Sequence, residues 1–106
     1  MAEVLTIEEL RSRIDVIDDQ LVRLLNVRVA CAVEVGRLKH EAGIAVYQPD
    51  REAQVLAAVR RSATDLSGPL TAEAVVRIFE RIIDEARRAE RQSSSHRDGS
   101  DSSIGE

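Results

Sequence analysis

The sequence predicts an all-α protein with three helices per chain, one long, one short and one medium, that assembles as a homodimer. Aromatic residues make up 2% of the chain and two prolines occur in 106 residues, a composition typical of helices rather than of a sheet. Apolar residues recur at alternating steps of three and four positions in three separate stretches, as on one face of a helix.

The first stretch predicts one long helix from Thr6 to about Glu41. Thr6 followed by Glu9 has the spacing of a capping box at the start, and Gly43 is suited to end the helix. One heptad seam runs along it for more than four repeats, with a single non-apolar member. The members of this apolar seam are Ile7, Leu10, Ile14, Ile17, Leu21, Leu24, Arg28, Cys31, Val35 and Leu38.

The length of this helix predicts a second copy of the chain. A helix from Thr6 to Glu41 measures roughly 54 Å, whereas a compact domain of this size has a radius of gyration of about 13 Å. The apolar seam would project beyond its own domain, so another chain must cover it, most simply in a twofold dimer. Cys31 on the seam is expected to be a buried structural thiol.

The other two helices are bounded by helix breakers and caps. Pro49 is suited to the first turn of the short second helix, which is expected to end near Thr64. A Gly-Pro pair at 68–69 interrupts the chain, and Thr71 then caps a third helix that is expected to reach about Gln92.

We expect one helical domain over residues 1–92 and a disordered, Ser-rich tail over 93–106. The net charge of −4 gives no general support to nucleic-acid binding. There is no apolar run long enough to span a bilayer and no signal-peptide pattern, so no membrane association is expected and the cytoplasm is the expected location. No metal-ligand cluster or Gly-rich phosphate loop occurs, and neither a metal nor a cofactor is expected.

Each helix carries one ionisable residue where its pattern calls for an apolar one: Arg28, Glu52 and Glu90. Any one of them alone would more often be a register device or a side chain that reaches out to solvent. Three together indicate a polar site, because buried charges must meet partners.

The cations have the spacing of an anion site. Lys39 follows Arg28 by eleven positions, which places both on one helix face about 16 Å apart, and Arg51 beside Glu52 offers a third cation. Arg11 lies about 26 Å from Arg28 along the same helix. On its own Arg11 is best interpreted as a solvated arginine, and it can join the others around one small ligand only if a partner chain supplies it.

The segments LRSRIDVIDDQLVRLLNVRVACAVEVGRLKHEAG, DREAQVL and VVRIFERIIDEAR resemble the all-helical (AroQ-type) chorismate mutase family over about residues 5–92. The resemblance implies a homodimer in which the three helices of each chain interleave. It also implies a [3,3] rearrangement of a small dianionic substrate, chorismate, to prephenate. Such a reaction needs a folded substrate conformer and donors at the ether oxygen, and no cofactor.

The resemblance also assigns roles within the site. Arg28 and Arg51, with Arg11 contributed by the other chain, would hold the two substrate carboxylates. Lys39 and Glu90 would be the catalytic residues at the ether oxygen whose bond breaks. Many family members have glutamine at the position of Glu90, and some have glutamate.

The residues expected at the C4 substituent leave alternatives open. Glu52 would hold the C4 hydroxyl, and Gln48 stands where the family often has an acidic residue that helps to bind this group. Ala86 replaces a hydroxyl residue near a carboxylate. A mutase for 4-amino-4-deoxychorismate, used for antibiotic precursors, would look much the same, as would an isochorismate-pyruvate lyase. A non-catalytic helical dimer that binds a dianion is a further alternative.

Overall fold

The computed structural model describes the backbone of residues 4–45 and 47–104 and the side chains of this part as far as residue 94. It contains three helices: α1 (Ile7–Ala42), α2 (Pro49–Leu66) and α3 (Ala72–Ile104). No strand occurs in the described ranges. The predicted all-α class with three helices is therefore confirmed.

The ends of α1 form through the predicted residues. The Thr6 hydroxyl accepts a hydrogen bond from the backbone N–H of Glu9 at 3.1 Å, and the Glu9 carboxylate accepts one from the Thr6 N–H at 2.9 Å. At the other end Gly43 has a φ of 70°, a left-handed conformation that glycine adopts without a steric cost. The Ile44 N–H then bonds to the Lys39 carbonyl at 2.8 Å.

The starts of α2 and α3 also agree with the sequence, whereas the end of α3 does not. Pro49 occupies the first turn of α2, and the Thr71 hydroxyl accepts a hydrogen bond from the Ala74 N–H at 3.1 Å. The end predicted near Gln92 is wrong, because α3 continues to Ile104. Extending an existing helix avoids the cost of nucleation, so a polar, Ser-rich segment without an apolar stripe can continue one.

Helix α3 is the element against which both of the others pack. Among the described side chains only Ala86 is buried, with 4% of its surface exposed. A methyl group at this position of α3 lets the neighbouring helices approach closely. The single chain therefore has a contact line along α3 but very little core.

The chain is much more extended than a compact domain of its length. Its radius of gyration is 18.8 Å and its extents are 68 × 32 × 17 Å, against about 13 Å for the radius of gyration of a compact 100-residue domain. Every residue of α1 from 7 to 27 is exposed. The apolar seam here is 45–68% exposed at Ile7, Leu10, Ile14, Ile17, Leu21 and Leu24.

The exposure of the apolar seam also bears on Cys31. Cys31, expected to be buried, is exposed in the single chain, since the seam has no partner within the chain. Separately, no helix among the described residues is both long enough and apolar enough to cross a lipid bilayer.

Candidate active site

A cavity of ≈680 Å³ lies between the second half of α1, the start of α2 and the second half of α3. Side chains from all three helices and from the connector before α2 line it. Six of the seven residues predicted for the site are among them: Arg28, Lys39, Gln48, Arg51, Glu52 and Glu90. The structure thus brings together residues that are up to 62 positions apart in the sequence, the separation between Arg28 and Glu90.

The cavity has a cationic lining although the chain is acidic overall. Its described lining contains the carboxylates Glu52 and Glu90 and five cationic side chains. The cations are Arg28, Lys39, Arg51, Arg87 and Arg91. An excess of positive charge on a concave surface favours a small ligand with more than one negative charge.

Arg28, the exception on the apolar seam, is half-buried and faces an aromatic ring. Its guanidinium carbon lies 5.8 Å from the centroid of the Phe79 ring on α3. A cation over a ring face is stabilised by the electron density of the ring. Phe79 therefore positions Arg28 without neutralising its charge, which suits a residue that binds a ligand carboxylate.

The Glu52 carboxylate is held by Arg87, a residue that the sequence analysis missed. The Arg87 Nη2 donates to Glu52 Oε1, and its Nη1 donates to Asp84 Oδ1 at 3.0 Å. The Arg87 guanidinium carbon also lies 6.0 Å from the centroid of the Tyr47 ring. The hydrogen bond to Glu52 raises the pKa of Arg87 further above its ordinary value.

A periodic signal for Arg87 exists in the sequence. Arg87 follows Ile83 by four positions and precedes Glu90 by three, so helix periodicity places it on the same face of α3 as these two cavity-lining residues. It stands in the segment EARRAER, which has the appearance of a solvated charge run. The local composition therefore suggested that Arg87 lies on the surface, whereas helix periodicity indicated that it faces the cavity.

Glu90 packs against Gly36, the one glycine of α1, which lies near the end of that helix. A Cβ at Gly36 would lie 3.4 Å from the Glu90 Oε2, which is an ordinary van der Waals contact, so the carboxyl group lies directly against the backbone of α1. Burial raises the pKa of Glu90 above its ordinary value, and the positive charges of Lys39, Arg87 and Arg91 offset part of this shift. The carboxyl group thus retains its proton to higher pH than an exposed glutamate does.

Arg11 does not line the cavity. It is exposed in the part of α1 that projects from the rest of the chain, about 26 Å along the helix from Arg28. This agrees with the expectation from axial distance that Arg11 cannot join Arg28 and Lys39 within one chain. Ser94, beyond the predicted domain end at residue 92, does line the cavity.

The sequence model of a family described as chorismate mutase type II matches residues 10–91 of this chain. The chain is 43% identical over 91 residues to the bifunctional chorismate mutase/prephenate dehydratase of Neisseria gonorrhoeae, a match that covers 81% of this chain and 24% of that protein. It is 25% identical over 84 residues to the chorismate mutase of Methanocaldococcus jannaschii, covering 79% of this chain and 83% of that one. The chain spans about a quarter of the length of the bifunctional relative.

A solved structure has the same fold. The structure of chorismate mutase (form II) from Thermus thermophilus superposes with a TM-score of 0.75 at 30% sequence identity. The match covers 80% of this chain and 93% of that one.

The opposite environments of two glutamates on α3 predict opposite titration behaviour. Glu90 should titrate above the ordinary value of a glutamate because it is partly desolvated. Glu73 should titrate below it, because its carboxylate is bonded to its own backbone N–H and to Arg60 at 2.8 Å. Carbon-13 NMR of glutamate-labelled protein over a pH series measures both, with Glu90→Gln and Glu73→Gln used to assign the signals. A Glu90 that titrates at or below Glu73 would contradict this description of the cavity.

Proposed function

Because this chain belongs to the chorismate mutase type II family, we propose that it catalyses the rearrangement of chorismate to prephenate. The observation that carries the proposal is that six residues, from the three helices and from the connector before α2, meet around one cavity with an excess of positive charge. Chorismate has two carboxylates, an ether oxygen and a hydroxyl, and the lining offers groups for each of them.

Substrate binding in this proposal is assigned to the arginines. Arg28 and Arg51 bind the carboxylates, since a guanidinium forms paired, charge-assisted hydrogen bonds with a carboxylate. Glu52 and Gln48 bind the C4 hydroxyl, one as an acceptor and the other through its amide. Holding both ends of the substrate selects the folded conformer in which the reacting carbons approach each other. This lowers the entropic part of the activation free energy.

Catalysis at the ether oxygen is assigned to Lys39 and Glu90. During the rearrangement the C–O bond of the ether breaks while a C–C bond forms, with no covalent intermediate and no obligatory proton transfer. Negative charge grows on the ether oxygen in the transition state, so fixed donors there accelerate the reaction. The Lys39 ammonium and the protonated Glu90 carboxyl both donate.

The proposal includes a homodimer with interleaved helices. The apolar seam exposed along residues 7–27 needs a cover, and Arg11 lies on this same segment, far from the cavity of its own chain. In a twofold dimer the segment of one chain packs on the other and delivers Arg11 to the substrate carboxylate there. Residues 1–92 would form most of this catalytic unit, and the segment from 93 onward would extend α3, with Ser94 still in the cavity lining.

Purified protein incubated with chorismate tests the activity. We expect prephenate as the product, measured by chromatography, and a loss of kcat/KM of about 100-fold or more for Lys39→Met, because one donor to the developing oxyanion is removed. Arg81→Met is the control: this exposed arginine pairs with Glu85 on the same helix and should retain full activity. Release of pyruvate would indicate a lyase instead, and ligand binding without turnover would indicate a non-catalytic dimer.

Mixing two inactive variants tests whether each site is shared between chains. Arg11→Ala and Arg28→Ala homodimers should each be nearly inactive. Refolded together in equal amounts, about half of the dimers are mixed and each of these has one intact site, so about a quarter of normal activity returns. Arg28→Ala mixed with Arg51→Ala is the control, because both residues come from one chain and no intact site can form. Equal recovery in the two mixtures, or none in the first, would rule out the shared site.

The pH dependence of turnover tests the protonation state of Glu90. An ionised carboxylate only accepts hydrogen bonds and repels the developing charge, whereas the protonated acid donates. Burial raises the pKa of Glu90, so the active form is present below this pKa and is lost as the pH rises through it. Activity should therefore fall toward alkaline pH.

The variant Glu90→Gln distinguishes this role from a structural one. Its amide donates at every pH, so we expect a much flatter profile and an activity at about pH 8 that exceeds that of the wild type. If Glu90 acts instead as an ionised partner of Lys39, the variant loses activity uniformly across the profile. Initial rates of both proteins from about pH 5 to 9 decide between the two roles.

A further inference from the structure

The carboxylate of Glu52 is already paired before any ligand enters the cavity. Arg87 reaches it from α3, 35 positions further along the chain. Arg87 is itself fixed by two more contacts, the hydrogen bond to Asp84 at 3.0 Å and the ring of Tyr47. Both Arg87 and Glu52 are partly shielded from solvent, with 37% and 28% of their side chains exposed. The pair is thus an anchored unit in the cavity wall.

The other carboxylate in the described lining is also surrounded by cations. Lys39, Arg87 and Arg91 all act on Glu90. Gln48, which precedes α2 and is the other residue proposed to bind the C4 substituent, is uncharged. No carboxylate in the described lining therefore lacks a nearby cation, and a positively charged group on a ligand would meet like charges rather than an unpaired anion.

We propose that Arg87 is a positioning and charge-selecting residue: it holds the Glu52 carboxylate in place and makes the cavity reject a ligand that carries an ammonium group. The cavity then accepts a dianion whose third polar substituent is neutral, such as a hydroxyl. This inference rests on the proposed function and deepens it, because it distinguishes chorismate from 4-amino-4-deoxychorismate. A primary alkyl amine is protonated at neutral pH.

The physical basis is a difference between two binding free energies. An ammonium group is bound most favourably next to an uncompensated carboxylate, and Arg87 weakens that attraction at Glu52 by supplying the counter-charge. Like charges brought together in a partly desolvated cavity repel far more strongly than in water. A hydroxyl is neutral and still finds an acceptor, since a carboxylate paired with arginine retains lone pairs for a further hydrogen bond.

Specificity constants for the two substrates test the inference. For each protein the ratio of kcat/KM for chorismate to that for 4-amino-4-deoxychorismate is measured at neutral pH. The wild type should favour chorismate, and Arg87→Gln should lower the ratio by about 10-fold or more. The loss for chorismate should appear mainly in KM, while the amine should gain. Arg87→Lys keeps the positive charge and should retain most of the wild-type ratio, which a purely structural role of the guanidinium would not give.

Two further variants make the result decisive. Arg88→Gln removes the same charge from the next position of α3, where the side chain is exposed and does not line the cavity, and should leave the ratio unchanged. Glu52→Gln removes the partner of Arg87 on α2, while the bond to Asp84 remains, and should raise the ratio. It therefore tests the inference in the opposite direction if Arg87→Gln does not fold. An unchanged ratio in both Arg87→Gln and Glu52→Gln would overturn the inference.

Failure of the proposed function gives a different result. If the wild type converts neither compound, the proposed activity is wrong, and dissociation constants from calorimetry replace the specificity constants. The same order of ratios among the variants would then support charge selection by Arg87 in a non-catalytic binding site. If the wild type converts chorismate but every variant has the same kcat/KM for both compounds, charge selection by Arg87 is refuted while the proposed function stands.

Discussion

The structure depends on one constraint: α1 extends beyond the part of the chain where the three helices pack together. Its second half packs on α3 and lines the cavity, whereas residues 7–27 carry an apolar seam with no cover inside the chain. Burial of apolar surface is the main favourable term in folding, and in the proposed dimer a large part of that surface would be buried between chains. In that dimer, folding, assembly and completion of the site would be one process rather than three.

The second half of α1 shows how the same helix serves packing and chemistry. Arg28 occupies a seam position that would otherwise hold an apolar residue, and the Phe79 ring of α3 supports it there. Glu52 on α2 faces Arg87 on α3. Each of these groups contacts a neighbouring helix, so the cavity wall is held by contacts between helices, to which the connector adds the ring of Tyr47 against Arg87. Concentrating five cations in one lining is unfavourable without a ligand, and the proposed dianionic substrate would offset this cost on binding.

Much of this architecture follows from local rules, and the exceptions are contacts between distant residues. The capping box at Thr6, the stop at Gly43 and the cap at Thr71 depend on a few neighbouring residues, and they were predictable for that reason. The common face of Arg28 and Lys39 follows from helix geometry alone. Arg87 was missed because its partner Glu52 lies 35 positions away on another helix, and no spacing rule encodes such a pair.

The remaining differences arise where a pattern is weak or a partner is absent. The end of α3 was placed too early because the segment after Gln92 has no apolar periodicity, and helix propagation does not require one. Cys31 is exposed because it lies on the apolar seam, which has no cover within the single chain and which the proposed dimer would bury. Arg11 illustrates the limit most clearly: its distance from Arg28 excludes a joint role within one chain, and only the resemblance to a family gave it a place in a shared site.

Gly36 carries a consequence for protein engineering. A glycine inside a helix is less favourable than alanine by about 1 kcal/mol, so any procedure that optimises helix propensity would replace it first. A methyl group there would touch the Glu90 carboxyl, the acid proposed to donate to the substrate. The added methyl group would place apolar surface at ordinary contact distance from this carboxyl group, so a gain in helix stability would come with a less solvated acid. At this position a stabilised variant is not a neutral scaffold for redesign, and Gly36 is best kept fixed.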